Sequence, residues 1–118
     1  MRRRKDRGLE TGDRSHDAFQ DLVEYIEAQR CWSIRIFGEG QRTKGICEHI
    51  RKELLEIEAM PLDVFEWVDV IILALDGAWR AGYTAEQIVA ALKEKQRINF
   101  SRTWGTKHNE NEPTEHER

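Results

Sequence analysis

The chain has little proline and little cysteine: Pro61 and Pro113, Cys31 and Cys47, and no others in 118 residues. Two thiols with no C-x-x-C pair exclude a disulfide scaffold, and both are expected to be reduced, small apolar fillers within helices. No stretch comes near the roughly 18 uninterrupted apolar residues of a membrane span. A large excess of one charge is also missing. The net charge is −3, so the molecule as a whole does not announce a nucleic-acid partner. The opening "MRRRKDRGLETGDR" is basic but lacks the apolar centre of a signal peptide. Together these absences predict a cytoplasmic protein without a membrane or nucleic-acid partner. Internal repeats, heptad runs and convincing strand alternation are absent as well.

What remains is 39% hydrophobic and 35% charged, enough for one core under a charge-dense surface. Residues 1–14 read as a flexible basic arm, 15–104 as a helical domain and 105–118 as a polar tail. Four helical patterns fill the domain. The first runs from about Ser15 to Cys31 on a stripe of Phe19, Leu22, Val23 and Ile26, and "SIRIFGEGQRTKG" follows as a loop. A second helix starts near Thr43, a suitable N-cap, and aligns Ile46, Ile50, Leu54 and Ile57 before stopping near Met60. Pro61 suits the first turn of a third helix, which reaches about Arg80. That helix is apolar almost all round, from Val64 and Phe65 to Leu75 and Trp79, as befits the centre of a bundle or a subunit interface. Gly82 is the expected C-cap. Thr84 and Gln87 have capping-box spacing for a fourth helix, whose stripe is Ile88, Leu92, Lys95 and Asn99. The predicted fold is an all-α four-helix bundle.

Acids are out of place in this pattern. Glu53 and Glu56 share i, i+3 spacing with Glu66 and Asp69, on either side of Pro61. At about 100° per residue, Glu53 lies within roughly 60° of Ile46, Ile50 and Ile57, so the first pair borders the apolar stripe. An antiparallel hairpin folded near residue 60 brings all four within roughly two turns of one another. Carboxylates about 5 Å apart repel by about 3 kcal/mol per pair at an effective dielectric of about 20, and burial adds desolvation. Lys and Arg in an ion-pair network could offset this, or a divalent metal, for which oxygen-only ligands point to Mg2+ or Mn2+. His49, one turn before Glu53, reads as a hydrogen-bonded support more readily than as a ligand. Glu58 and Asp63 read as surface or cap residues. Lys95 and Asn99, with Arg102 following on the same side, either snorkel at the edge of the stripe or face a polyphosphate.

The paired acids and the string "HIRKELLEIEAMPLDVFEWVDVIILALDGAWRAGY", followed by "KEKQRINFSRTW", resemble the MazG-like all-α nucleoside triphosphate pyrophosphohydrolases. Within them the chain is most similar to the dATP/dGTP branch of phages and bacteria, over roughly residues 16–104. The resemblance implies Mg2+, replaceable by Mn2+, held by Glu53, Glu56, Glu66 and Asp69. It implies attack of a metal-activated water on the α-phosphorus, with Glu53 or Glu56 as base, giving monophosphate and pyrophosphate. Lys95, Asn99 and Arg102 become phosphate contacts, with Trp104 closing that row. The implied substrate is a purine deoxynucleoside triphosphate, dGTP or dATP, and a possible setting is dGMP supply in phages that replace adenine with 2-aminoadenine. Homodimers or homotetramers are implied too, and the third helix agrees. Trp32 and Phe37, flanking the glycine-rich loop, could stack on the purine or simply plug the open end of the bundle.

Three departures stand out. Lys52 occupies a place where the superfamily often has a further Glu, the spacer between the acid pairs is short, and Gly105 follows Trp104 where proline is common. Other readings remain at this point: a non-catalytic helical adaptor, a nucleic-acid-binding arm at Arg2–Lys5, or a related enzyme acting on a pyrimidine such as dUTP.

Overall fold

The computed structural model describes residues 17–104, 112–114 and 116–117, so the expected arm at 1–14 and much of the tail at 105–118 lie outside the described residues. Helix α1 spans Ala18–Phe37, α2 Thr43–Ala59, α3 Val64–Arg80 and α4 Ala85–Ser101. A two-residue strand, β1 (Thr103–Trp104), pairs antiparallel with β2 (His116–Glu117) and brings the chain's last described residues back to the end of α4. The all-α expectation holds, with this short ladder as an addition.

Local chemistry sets most of the boundaries. The Asp17 and Asp63 carboxylates accept hydrogen bonds from the Phe19 and Phe65 amides and start α1 and α3. Pro61 therefore lies in the turn before α3, not in its first turn, and its carbonyl accepts a 2.9 Å bond from Trp67 Nε1. Thr84 and Gln87 form the expected capping box of α4. Thr43 is the first helical residue of α2 and Arg42 precedes it without a side-chain cap, which corrects the expected cap. Gly82 follows α3 with φ of 115°, a left-handed conformation that suits glycine. Cys31 and Cys47 are free thiols but exposed, not apolar fillers.

Helix α3 packs against each of the other three helices, whereas α1 and α2 make no close approach to each other. The buried core joins Val23 and Ile26 of α1 to Trp79 of α3 and to Ala85 and Val89 of α4. Its α4 face is thus Ala85–Ile88–Val89, and Leu92 and Lys95 are exposed. For Lys95 the reason is where α1 starts. Lys93 Nζ sits 4.6 Å from the centre of the Phe19 ring, so the remainder of α4 runs past the first turn of its partner.

Helix α1 also continues six residues beyond the expected Cys31, to Phe37. Its buried face there is polar: Gln29 and Ser33 replace the apolar residues that periodicity requires. Gln29 Oε1 accepts from Trp79 Nε1 at 2.9 Å. Ser33 Oγ donates to Asp76 Oδ1 at 3.0 Å and accepts from Arg80 Nη2 at 2.9 Å. The Arg80 side chain, 1% exposed, also donates from Nε to Asp76 Oδ1 and from Nη1 to the carbonyls of Gly38 and Gly40. One guanidinium thus ties α1, α3 and the loop between α1 and α2 together.

Removing Arg80 would leave the Asp76 carboxylate buried without its cation, so Arg80→Ala should cost about 3–5 kcal/mol. Urea denaturation followed by circular dichroism would measure it, and a loss below about 1 kcal/mol would contradict the anchoring role.

Candidate active site

The α2–α3 hairpin brings three of the four predicted acids together: one carboxylate oxygen from each of Glu53, Glu56 and Glu66 lies within 4.8 Å of the others. Their positions follow from the two helices facing each other across the Met60–Asp63 turn. Glu53 is 7% exposed, and Oε1 of both Glu53 and Glu66 is buried without a hydrogen-bond partner among the described residues. Buried carboxylate oxygens in that state are costly. The other oxygen of Glu53 lies 3.3 Å from His49 Nε2, placing the histidine as a support for that carboxylate. Burial first, then Glu56, and after it Asp63 and Glu53, push the Glu66 carboxyl above its ordinary value. Crowded, desolvated, oxygen-only donors with two unpaired oxygens are suited to a hard divalent cation. Asp69, one turn after Glu66, falls outside the 4.8 Å group and is exposed.

Asp69 instead lines a cavity of about 330 Å3 that occupies the gap between α1 and α2 over α3. Glu53 and His49 border it from α2, Trp32 and Phe37 from α1. The two aromatic rings meet edge to face, with centroids 5.9 Å apart, and both are about half exposed. Arg42 caps the outer face of Phe37 at 5.0 Å and also lines the cavity. Arg42, Gln29, Ser33 and Asp76 were not singled out from sequence. For Asp76 a signal existed, because it stands seven positions after Asp69 and so shares its face of α3.

The predicted phosphate contacts are elsewhere. Lys95 is exposed, Asn99 and Arg102 are half-buried, and no described residue of α4 lines the cavity.

A helical chain with convergent acids beside a cavity of nucleotide size, walled by aromatics, defines a candidate metal-dependent enzyme of nucleotide chemistry. The sequence profile of the dATP/dGTP pyrophosphohydrolases matches residues 25–118. The chain belongs to this family, and it is a pyrophosphohydrolase that acts on deoxynucleoside triphosphates. A similar solved structure is that of the cyanophage S-2L MazG-like pyrophosphohydrolase bound to dGDP and three catalytic Mn2+ ions per active site. The TM-score is 0.61 and the identity 27%, over 87% of this chain and 100% of that one. No curated protein sequence matches the chain. The non-catalytic adaptor is thereby set aside.

The raised Glu66 carboxyl sets a sign. Folding favours its protonated form, so its contribution to metal-free stability is greatest at low pH and is lost as pH rises from 4.5 through the raised value. In EDTA, Glu66→Gln should therefore raise the Tm at neutral pH and flatten its dependence on pH. The same variant should abolish the rise in Tm that Mg2+ gives the parent. A variant that still gains stability from Mg2+ would exclude Glu66 from the cation site.

Proposed function

We propose that this enzyme hydrolyses purine deoxynucleoside triphosphates, dGTP and dATP, to the monophosphate and pyrophosphate, using Mg2+ with Mn2+ as a substitute. The observation that carries the reading is the pair of unpaired, buried carboxylate oxygens on Glu53 and Glu66 beside an aromatic-walled cavity. The nucleotide and Mn2+ ions of the similar cyanophage structure support it.

Glu53, Glu56 and Glu66, joined by Asp69, would hold the metal. When bound, such an ion screens the triphosphate charge and acidifies a water. Glu53 or Glu56 accepts the proton of the attacking water, with His49 holding Glu53 in place. The new bond forms to the α-phosphorus, the α–β bridging bond breaks, and pyrophosphate leaves. Trp32 and Phe37 offer stacking faces for the base. Lys95, Asn99 and Arg102 are assigned to phosphate on the family resemblance; the antiparallel run of α4 beside α3 sets about residue 95 level with about residue 69, although none of the three lines the cavity.

Oligomers complete the reading. Val64, Trp67 and Ile71 share one face of α3 and, like Phe65 about 100° around the helix, are each more than half exposed, apolar surface that a homodimer or homotetramer would cover. No described helix is long and apolar enough to cross a membrane, which accords with a cytoplasmic enzyme. The proposed setting is the supply of dGMP where phage DNA carries 2-aminoadenine.

Incubation with Mg2+ and a panel of dNTPs and NTPs, with products resolved by ion exchange, tests the reaction. Monophosphate and pyrophosphate are expected from the purine deoxynucleotides, and Glu56→Gln should lower kcat by about 100-fold or more. Preference for dUTP would reassign the substrate, and release of orthophosphate would mean that a different bond is cut. Separately, Phe65→Glu should shift the elution of the protein on size exclusion toward the monomer.

A further inference from the structure

The inner end of the cavity is polar in a specific way. Gln29 and Asp76 both line it, and both are about nine-tenths buried. Each has one polar atom committed to a group that can only donate. Trp79 Nε1 holds Gln29 Oε1, which leaves the Gln29 amide nitrogen to donate. Arg80 Nε holds Asp76 Oδ1, which leaves Oδ2 to accept. Neither remaining atom makes a hydrogen bond among the described residues, and neither is sealed from solvent. The two side chains are neighbours through Ser33, which stands one turn after Gln29 on α1 and donates to Asp76.

We infer that Gln29 and Asp76 read the Watson–Crick edge of the base and select dGTP over dATP. Gln29 donates to guanine O6 and Asp76 Oδ2 accepts from N1–H. Adenine presents the opposite pattern at both places, a donor at N6 and a lone pair at N1, so each contact becomes a clash of like groups. The position along α3 suits this role. Asp69 and Asp76 lie on one face about 10 Å apart, comparable to the span from a nucleotide's phosphate to its base edge. This inference rests on the purine triphosphate reading above and assigns the base preference within it.

Asp76→Asn gives a directional test. Arg80 Nε must still find an acceptor, so the amide oxygen of the variant is held at the Oδ1 position and its NH2 is turned toward the base. An acceptor thereby becomes a donor at the N1 position. The ratio of kcat/KM for dGTP to that for dATP should fall by about 10- to 100-fold. A purely structural defect would lower both substrates together and leave the ratio unchanged, which would overturn the inference. The unmodified enzyme supplies a second test, independent of how the variant folds. It should accept dITP, which keeps O6 and N1–H, nearly as well as dGTP, and turn over N1-methyl-dGTP as poorly, relative to dGTP, as it does dATP. Equal turnover of dGTP and dATP, or of dGTP and its N1-methyl form, would overturn the inference and leave the purine reading intact. Absence of turnover with every triphosphate would overturn both.

Discussion

The arrangement of this molecule depends on one buried guanidinium. Arg80 presents its donors to a carboxylate, a hydroxyl and two backbone carbonyls, and each acceptor belongs to a part of the chain that must be held still. A planar fork of fixed donors is what distinguishes arginine from lysine in such a place. The carbonyls of Gly38 and Gly40 end up fixed relative to α3, and with them the side of the cavity that carries Phe37 and Arg42. Since α1 and α2 do not pack on each other, this anchor and the shared surface of α3 are what keep the gap between them open. A conventional apolar contact between α1 and α2 would close the cavity.

A few turns away the electrostatic situation reverses. At Asp76 a buried acid has its cation within the chain. At Glu53, Glu56 and Glu66 the acids have mostly one another, with His49 beside Glu53. Desolvation and mutual repulsion raise Glu66, and no arginine among the described residues relieves it. Such a cluster lowers stability in the metal-free protein. It persists because the α2–α3 hairpin is held by Ile46, Ile57 and the turn with its Asp63 cap, independently of the acids. A stable scaffold carrying a locally unfavourable charge arrangement is what a cation site requires before its ion arrives.

These two regions differ in how far they could be read from sequence. The acid pairs were legible because their spacing is helical and their neighbours are apolar, so that hairpin geometry alone brings Glu53, Glu56 and Glu66 together. The capping box of α4 was legible for a similar reason, since its chemistry is local. The last turns of α1 were not. Hydrophobic periodicity fails at Gln29 and Ser33, because the partners they meet, Trp79, Asp76 and Arg80, are some fifty positions away in sequence. A polar residue paired across the core looks, in one dimension, like a solvent-facing one. The α4 stripe failed in the opposite direction: Leu92 and Lys95 continue the periodic face of the helix, yet both are exposed, Lys95 because α4 runs past the start of α1.

Helix α3 links the two regions and explains why both sit on it. It carries Glu66 and Asp69 near one end of the cavity and Asp76 at the other, with Trp79 and Arg80 one turn further on. A helix of this length, packed against three others, behaves as a rigid rod, so the separation between acid cluster and polar inner end is set by rise per residue and does not depend on loop conformation. The last turns of α1 contribute the aromatic rim, where some adjustment is tolerable because stacking is insensitive to small shifts. Hydrogen bonds to a base edge are not so tolerant, nor is the placing of a water against phosphorus. Both of those tasks fall to side chains on helices, with Asp76 and Gln29 each held by a donor that has no alternative acceptor. The same rod that brings carboxylates together against their repulsion therefore also fixes how far from them a base can be read.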